Sequence, residues 1–114
     1  MPRNPLLFCV MIVHFCITAA LAIAQVREQV VFESGSGPYA TYRIPSLVSA
    51  NDGSIIAICE GRKNGASDAG DIDVIQRRSV DGGVTWGPIE VIWDDAKNTC
   101  GNPCPVVDHA SGTI

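Results

Sequence analysis

No block of basic residues occurs anywhere in the chain; Arg77-Arg78 is the densest basic spot. Eight Lys and Arg stand against twelve Asp and Glu, a net charge of −4. A nucleic-acid binder needs a positive stripe to displace counterions from phosphates, so that class is excluded. A single small carboxylate remains within reach of a few placed arginines. Aromatic residues make up only 6% of the chain. No window carries a helical apolar period, and no glycine-every-third repeat exists, which sets aside coiled coils, multi-helix enzymes and collagen. Asn98-Thr99-Cys100 lacks the hydroxyl residue an N-glycosylation acceptor requires, and no other acceptor is present.

Cysteine is sparse beyond the first 24 residues, where only Cys59, Cys100 and Cys104 occur. Three is odd, so at least one has no partner within the sequence. Cys100-Gly-Asn-Pro-Cys104, with only His109 nearby, is too thin a ligand set for zinc, and no metal is assigned.

Residues 1–24 read as an export signal. Arg3 supplies the positive start, Leu6 to Ala24 is apolar apart from His14 and Thr18, and Ala22-Ile23-Ala24 precedes Gln25 with a small-x-small pattern. The expectation is a cleaved signal peptide and a secreted or extracytoplasmic product. The alternative is an uncleaved membrane anchor, since about 20 apolar residues can cross a bilayer.

The exported part, residues 25–114, holds all eleven glycines and five of the seven prolines. Short strand candidates alternate with Gly/Asp turns: Val30–Phe32, Thr41–Ser49 with a bend at Pro45, Ser54–Cys59, Ile72–Arg78, Ile89–Trp93 and Cys104–Val107. Asn51-Asp52-Gly53 is a hairpin signal, and residues 60–71 read as a polar loop. The class is all-β: a sandwich, barrel or propeller. Strand spacing does not separate these.

Three stretches carry a more specific pattern. They are Tyr42-Arg43-Ile44-Pro45; Glu60-Gly61-Arg62 followed by Ser67-Asp68 and Gly70-Asp71-Ile72-Asp73; and Ser79-Val80-Asp81-Gly82-Gly83-Val84-Thr85-Trp86. The last has the S-x-D-x-G-x-x-W form of an Asp-box. In this order and spacing they resemble the N-terminal part of an exo-α-sialidase (neuraminidase) of glycoside hydrolase family 33, from roughly Val30 to Ile114. The resemblance implies a six-bladed β-propeller of which this chain would hold about the first two blades, and a fragment that is inactive alone.

It also implies roles. Arg43 would be one of three arginines that clamp the substrate carboxylate, a task suited to the planar guanidinium fork. Asp68, six positions after Arg62, would be the catalytic acid/base, protonated to release the leaving group and ionised to activate water. Asp71 and Asp73 are its rivals by position, and three carboxylates so close could instead bind calcium or form a solvated loop. Arg62 would bind the C4 region of the sugar, with Glu60 orienting it. Asn102 stands where some relatives present an aspartate to the same substrate edge, a departure; it could equally cap a turn before Pro103. Ser79, Asp81, Gly83 and Trp86 of the box would be structural. Phe32, Tyr39 and Trp93 could line a sugar site or pack in the core, and Arg77 reads as scaffold.

The family's tyrosine nucleophile, its glutamate partner and two further arginines have no counterpart here; Tyr39 and Tyr42 are the only tyrosines and neither is at the nucleophile's place. No cofactor is implied. The partners implied are sialylated glycans, with no nucleic acid. A non-catalytic Asp-box propeller that binds carbohydrate or protein is the alternative function, and a small secreted β-sandwich a more distant one.

Overall fold

A computed structural model describes residues 26–114; the leader expected over residues 1–24 lies outside the described residues. Four strands form one antiparallel meander: β1 (Thr41–Ser49), β2 (Ile55–Arg62), β3 (Ile72–Ser79) and β4 (Glu90–Trp93), ordered β1-β2-β3-β4. No helix occurs among the described residues. The all-β class expected from the sequence is what the chain adopts, in the sheet type from which propeller blades are built.

β2 is the sheet's spine. Its residues from Ile56 to Arg62 are all buried, which explains its nearly unbroken apolar start, since a strand covered on both faces has no solvent side to mark with polar residues. Side chains alternate, so the register with β3 divides the sheet into two faces. On one face Cys59 lies opposite Ile75, and Tyr39 completes a buried cluster flanked by Phe32, Tyr42 and Ile89. On the other, Ile56 and Ile58 continue into Glu60 and Arg62. Against that face lies a groove of about 450 Å³ bounded by Val74, Val91, Pro103 and Pro105.

Pro45 bends β1 as its fixed φ demands. The pairing with β2 steps from Arg43↔Glu60 to Ser46↔Ile58, leaving one extra residue on β1. This is a β-bulge, and Ile44 within it takes φ 55°, a region β-branched residues rarely enter.

Three segments differ from their sequence reading. Residues 60–62 continue β2 instead of opening the loop, because Glu60 and Arg62 satisfy each other's charge inside the sheet. Val30–Phe32 forms no ladder; Phe32 stacks on Tyr42 at 5.4 Å between ring centroids. Cys104–Val107 is also outside any strand, followed by a turn closed by the Asp108↔Thr113 bridge. Cys59, Cys100 and Cys104 are all free thiols.

Candidate functional site

One end of one sheet face gathers the charged residues singled out in the sequence. Arg43 pairs with Glu60 and Thr41 with Arg62 in the β1–β2 ladder, so Arg43, Glu60 and Arg62 project from the same side. The loop between β2 and β3 brings Asp68 back over them.

Arg62 is the centre of this group. Its side chain is 3% exposed and that of Glu60 4%, and they meet as an ion pair. Glu60 Oε2 accepts from Arg62 Nε at 2.9 Å and from Nη2 at 2.5 Å. That occupies the inner edge of the guanidinium. Nη1, on the outer edge, reaches the carbonyls of Ala66 at 2.7 Å and Ser67 at 2.8 Å, and Asp68 Oδ1 at 2.8 Å. A buried arginine therefore folds the loop around its own outer edge.

Arg43 is a different kind of cation. Its side chain is 46% exposed, and its Nη1 donates to the same Asp68 Oδ1 at 3.1 Å. The Asp68 side chain is 83% exposed. Its Oδ2 accepts no hydrogen bond among the described residues. Arg62's hydrogen bond, then the charges of Arg43 and Arg62, hold the Asp68 carboxyl below its ordinary range. It is thus an anion near neutral pH, with one oxygen shared by two arginines and the other open.

Asn102 joins the group through its backbone. Its N–H donates to Glu60 Oε1 at 2.9 Å, and it sits at φ 53°. The side chain is exposed and forms no hydrogen bond among the described residues. The segment before it is tied in too: Cys100 N donates to Ile72 O at 2.8 Å, and Thr99 Oγ1 accepts from Gly70 N at 3.0 Å.

Asp71 and Asp73, the positional rivals of Asp68, are engaged elsewhere. Lys63 Nζ lies 2.8 Å from Asp71, 3.1 Å from Asp73 and 3.4 Å from Asp94. These carboxylates hold the ammonium strongly protonated. Asp73 is 1% exposed and also accepts from the Tyr39 hydroxyl at 2.7 Å. An ammonium stands among these carboxylates, where a calcium ion would need them free. Together with the Lys63 N to Asp71 O bond of 3.1 Å, it closes the neck of the Asp68 loop. Sequence reasoning missed this role of Lys63; the legible signal was a lysine at one end of the loop and an aspartate at the other.

The Ser79–Trp86 turn lies at the opposite end of the sheet. Ser79 pairs with Ile55, seven residues along β2 from Arg62, or roughly 23 Å at about 3.3 Å per residue. Asp81 Oδ1 accepts from Ser79 Oγ at 2.8 Å and from Thr85 N at 2.9 Å, while Ser79 Oγ accepts from Gly83 N at 2.8 Å. Gly82 and Gly83 both take positive φ, 72° and 87°, which this closed turn requires. Trp86 is half-buried beside Gly83 and Ile55. Arg77 donates to the carbonyls of Val31, Trp86 and Gly87, so it braces the turn against the N-terminal segment.

The remaining aromatic and thiol candidates are separate from the cluster. Tyr39 is core, and burial with the Asp73 bond pushes its hydroxyl well above the ordinary range. The Tyr42 hydroxyl donates to Ser36 O at 2.7 Å. Trp93 is exposed on β4. Burial pushes the Cys59 thiol up to about 12, which leaves it inert as a nucleophile.

No family model matches the chain. It is similar to a sialidase of Micromonospora viridifaciens, with 37% identity over 76% of this chain and 14% of that protein. It is also similar to exo-α-sialidases of Arthroderma benhamiae (35% identity; 66% of this chain, 20% of that protein) and Aspergillus fumigatus (34%; 61% and 19%). The chain spans between 14% and 20% of the length of these curated relatives. Over the stretch it shares with them, the chain is a sequence relative of bacterial and fungal sialidases.

Proposed function

We propose that this chain is the N-terminal part of a secreted exo-α-sialidase, which hydrolyses terminal α-linked sialic acid from glycoproteins, glycolipids or oligosaccharides. One observation carries the reading. An exposed arginine and an exposed aspartate, Arg43 and Asp68, meet at 3.1 Å above a buried second arginine, at one end of one sheet face. A fork for a carboxylate and a carboxyl for proton transfer stand side by side, open to solvent.

In this reading Arg43 binds the sialic acid carboxylate in two parallel N–H···O bonds. Arg62, locked by Glu60, lies beneath the C4 side of the sugar and sets that side through the Ala66–Asp68 loop it holds, and the Asn102 side chain faces the same edge. Asp68 donates its proton to the glycosidic oxygen as the bond to the anomeric carbon breaks. It then takes a proton from the water that releases the sugar. When the substrate carboxylate pairs with Arg43, that arginine no longer serves Asp68 alone, and the Asp68 carboxyl moves back toward the pKa an acid catalyst needs. The nucleophile comes from outside residues 26–114, because Tyr39 and Tyr42 are committed to Asp73 and Ser36.

The test is release of a fluorophore from an α-sialoside by the longer open reading frame that carries this chain. The expected result is retaining hydrolysis by the longer protein and none by residues 25–114. Sialoside binding without turnover by the longer protein would replace the enzyme with the non-catalytic, carbohydrate-binding alternative.

A further inference from the structure

We infer that Glu60 is the positioning residue of this site: its two carboxylate oxygens separately fix Arg62 and the Gly101–Asn102 segment, so that one buried acid sets both edges of the sugar-binding surface. The inference rests on the proposed function for what the surface binds, and on geometry for what Glu60 does.

Oε2 takes the whole inner edge of the Arg62 guanidinium, Nε and Nη2. With that edge fixed, the planar group has one remaining direction in which to donate, and Nη1 is spent on Ala66, Ser67 and Asp68. Oε1 has a different partner, the Asn102 N–H at 2.9 Å. The approach is close. A Cβ on Gly101 would come within 2.7 Å of Oε1, so only glycine lets this backbone lie on the carboxylate. Asn102 then turns outward through its left-handed conformation. Forty-two residues separate Glu60 from Asn102, and no other side chain among the described residues bonds to both Arg62 and the 101–102 backbone.

A glutamine cannot replace this arrangement. Both oxygens of Glu60 face donors, so a carboxamide must turn its NH₂ toward either Arg62 or the Asn102 N–H. The experiment compares Glu60→Gln and Gly101→Ala in the longer sialidase of the proposed function. It measures kcat and KM on a fluorogenic α-sialoside, thermal melting, and the NMR signals of the Arg62 Nε–H and the Asn102 amide. The expected result for Glu60→Gln is a KM raised at least tenfold, with either the Arg62 Nε–H losing its protection from exchange or the Asn102 amide shifting, according to which side the NH₂ takes. Gly101→Ala, which presses only on the Oε1 side, should shift the Asn102 amide and raise KM while Arg62 Nε–H stays protected.

A Glu60→Gln protein with unchanged KM overturns the inference, as does one in which the Arg62 Nε–H stays protected and the Asn102 amide does not move. So does one whose activity falls only in proportion to folded protein. If Glu60→Gln does not fold, Gly101→Ala decides: an unmoved Asn102 amide or an unchanged KM overturns it. The NMR signals need no turnover. A longer protein that hydrolyses no sialoside, yet loses Arg62 protection in Glu60→Gln, defeats the sialidase reading and leaves the positioning role standing.

Discussion

Arg62 donates to Asp68 at 2.8 Å from a position 3% exposed to a partner 83% exposed. The donor is fixed by the sheet and the acceptor is presented to solvent by the loop. This pairing of a buried cation with an open carboxylate sets the site's charge, and Arg43 adds a second, exposed cation to the same oxygen.

The Asp68 carboxyl should therefore titrate below its ordinary value of 3.8, and Arg43→Leu should raise it. The shift stays partial because the Arg62 hydrogen bond, the largest influence, remains. The stability linked to this depressed carboxyl is fully present above the ordinary value and is lost as pH falls through the folded one. An NMR titration of the Asp68 side chain in both proteins checks this; identical curves would remove Arg43 from the pair.

In the proposed sialidase, Asp68→Asn keeps size and polarity and removes proton transfer. kcat should fall roughly 10²–10⁴-fold, the usual contribution of a positioned acid/base. Asp71→Asn, on the Lys63 side of the loop neck, should leave most of kcat intact. Steady-state kinetics on both variants distinguishes the two carboxylates.

The Asp81 turn makes a separate pH prediction. Hydrogen bonds from Thr85, foremost, and Ser79 lower its carboxyl from 3.8 to about 2. Its contribution to stability is complete above the ordinary value and disappears as pH drops from there through about 2. Thermal melting of wild type should decline across that window more steeply than melting of Asp81→Asn, which has no such proton to gain. Parallel declines would show that the turn does not depend on the charge.

Gly61→Ala tests the packing behind the site. A Cβ at Gly61 would stand 2.8 Å from the Tyr39 ring. Tyr39 is buried and its hydroxyl is held by Asp73, so the ring has no room to yield. The substitution should cost about 1–3 kcal/mol, as overpacking a closed core does. Denaturant unfolding measures it, and a neutral result would mean the Tyr39 cluster is looser than its burial indicates.

The strand Thr41–Ser49, a strand over Ile72–Arg78 that β3 extends by one residue, the hairpin at Asn51–Gly53 and the bend at Pro45 were all readable from the chain alone. These follow from local rules: alternation, turn-forming residues and a fixed proline φ. Arg43, Arg62 and Asp68 were legible as candidates through their spacing and family resemblance, not through geometry. Folding and strand register were needed to show that Glu60 and Arg62 belong to a buried strand, that Lys63 separates Asp71 and Asp73 from Asp68, and that Asn102 reaches the site by its backbone. Each of these depends on which charges meet across the sheet. A lone Arg and Glu read as loop residues, because burying either alone is prohibitive; burial becomes tolerable only once strand register places the partner within hydrogen-bond reach.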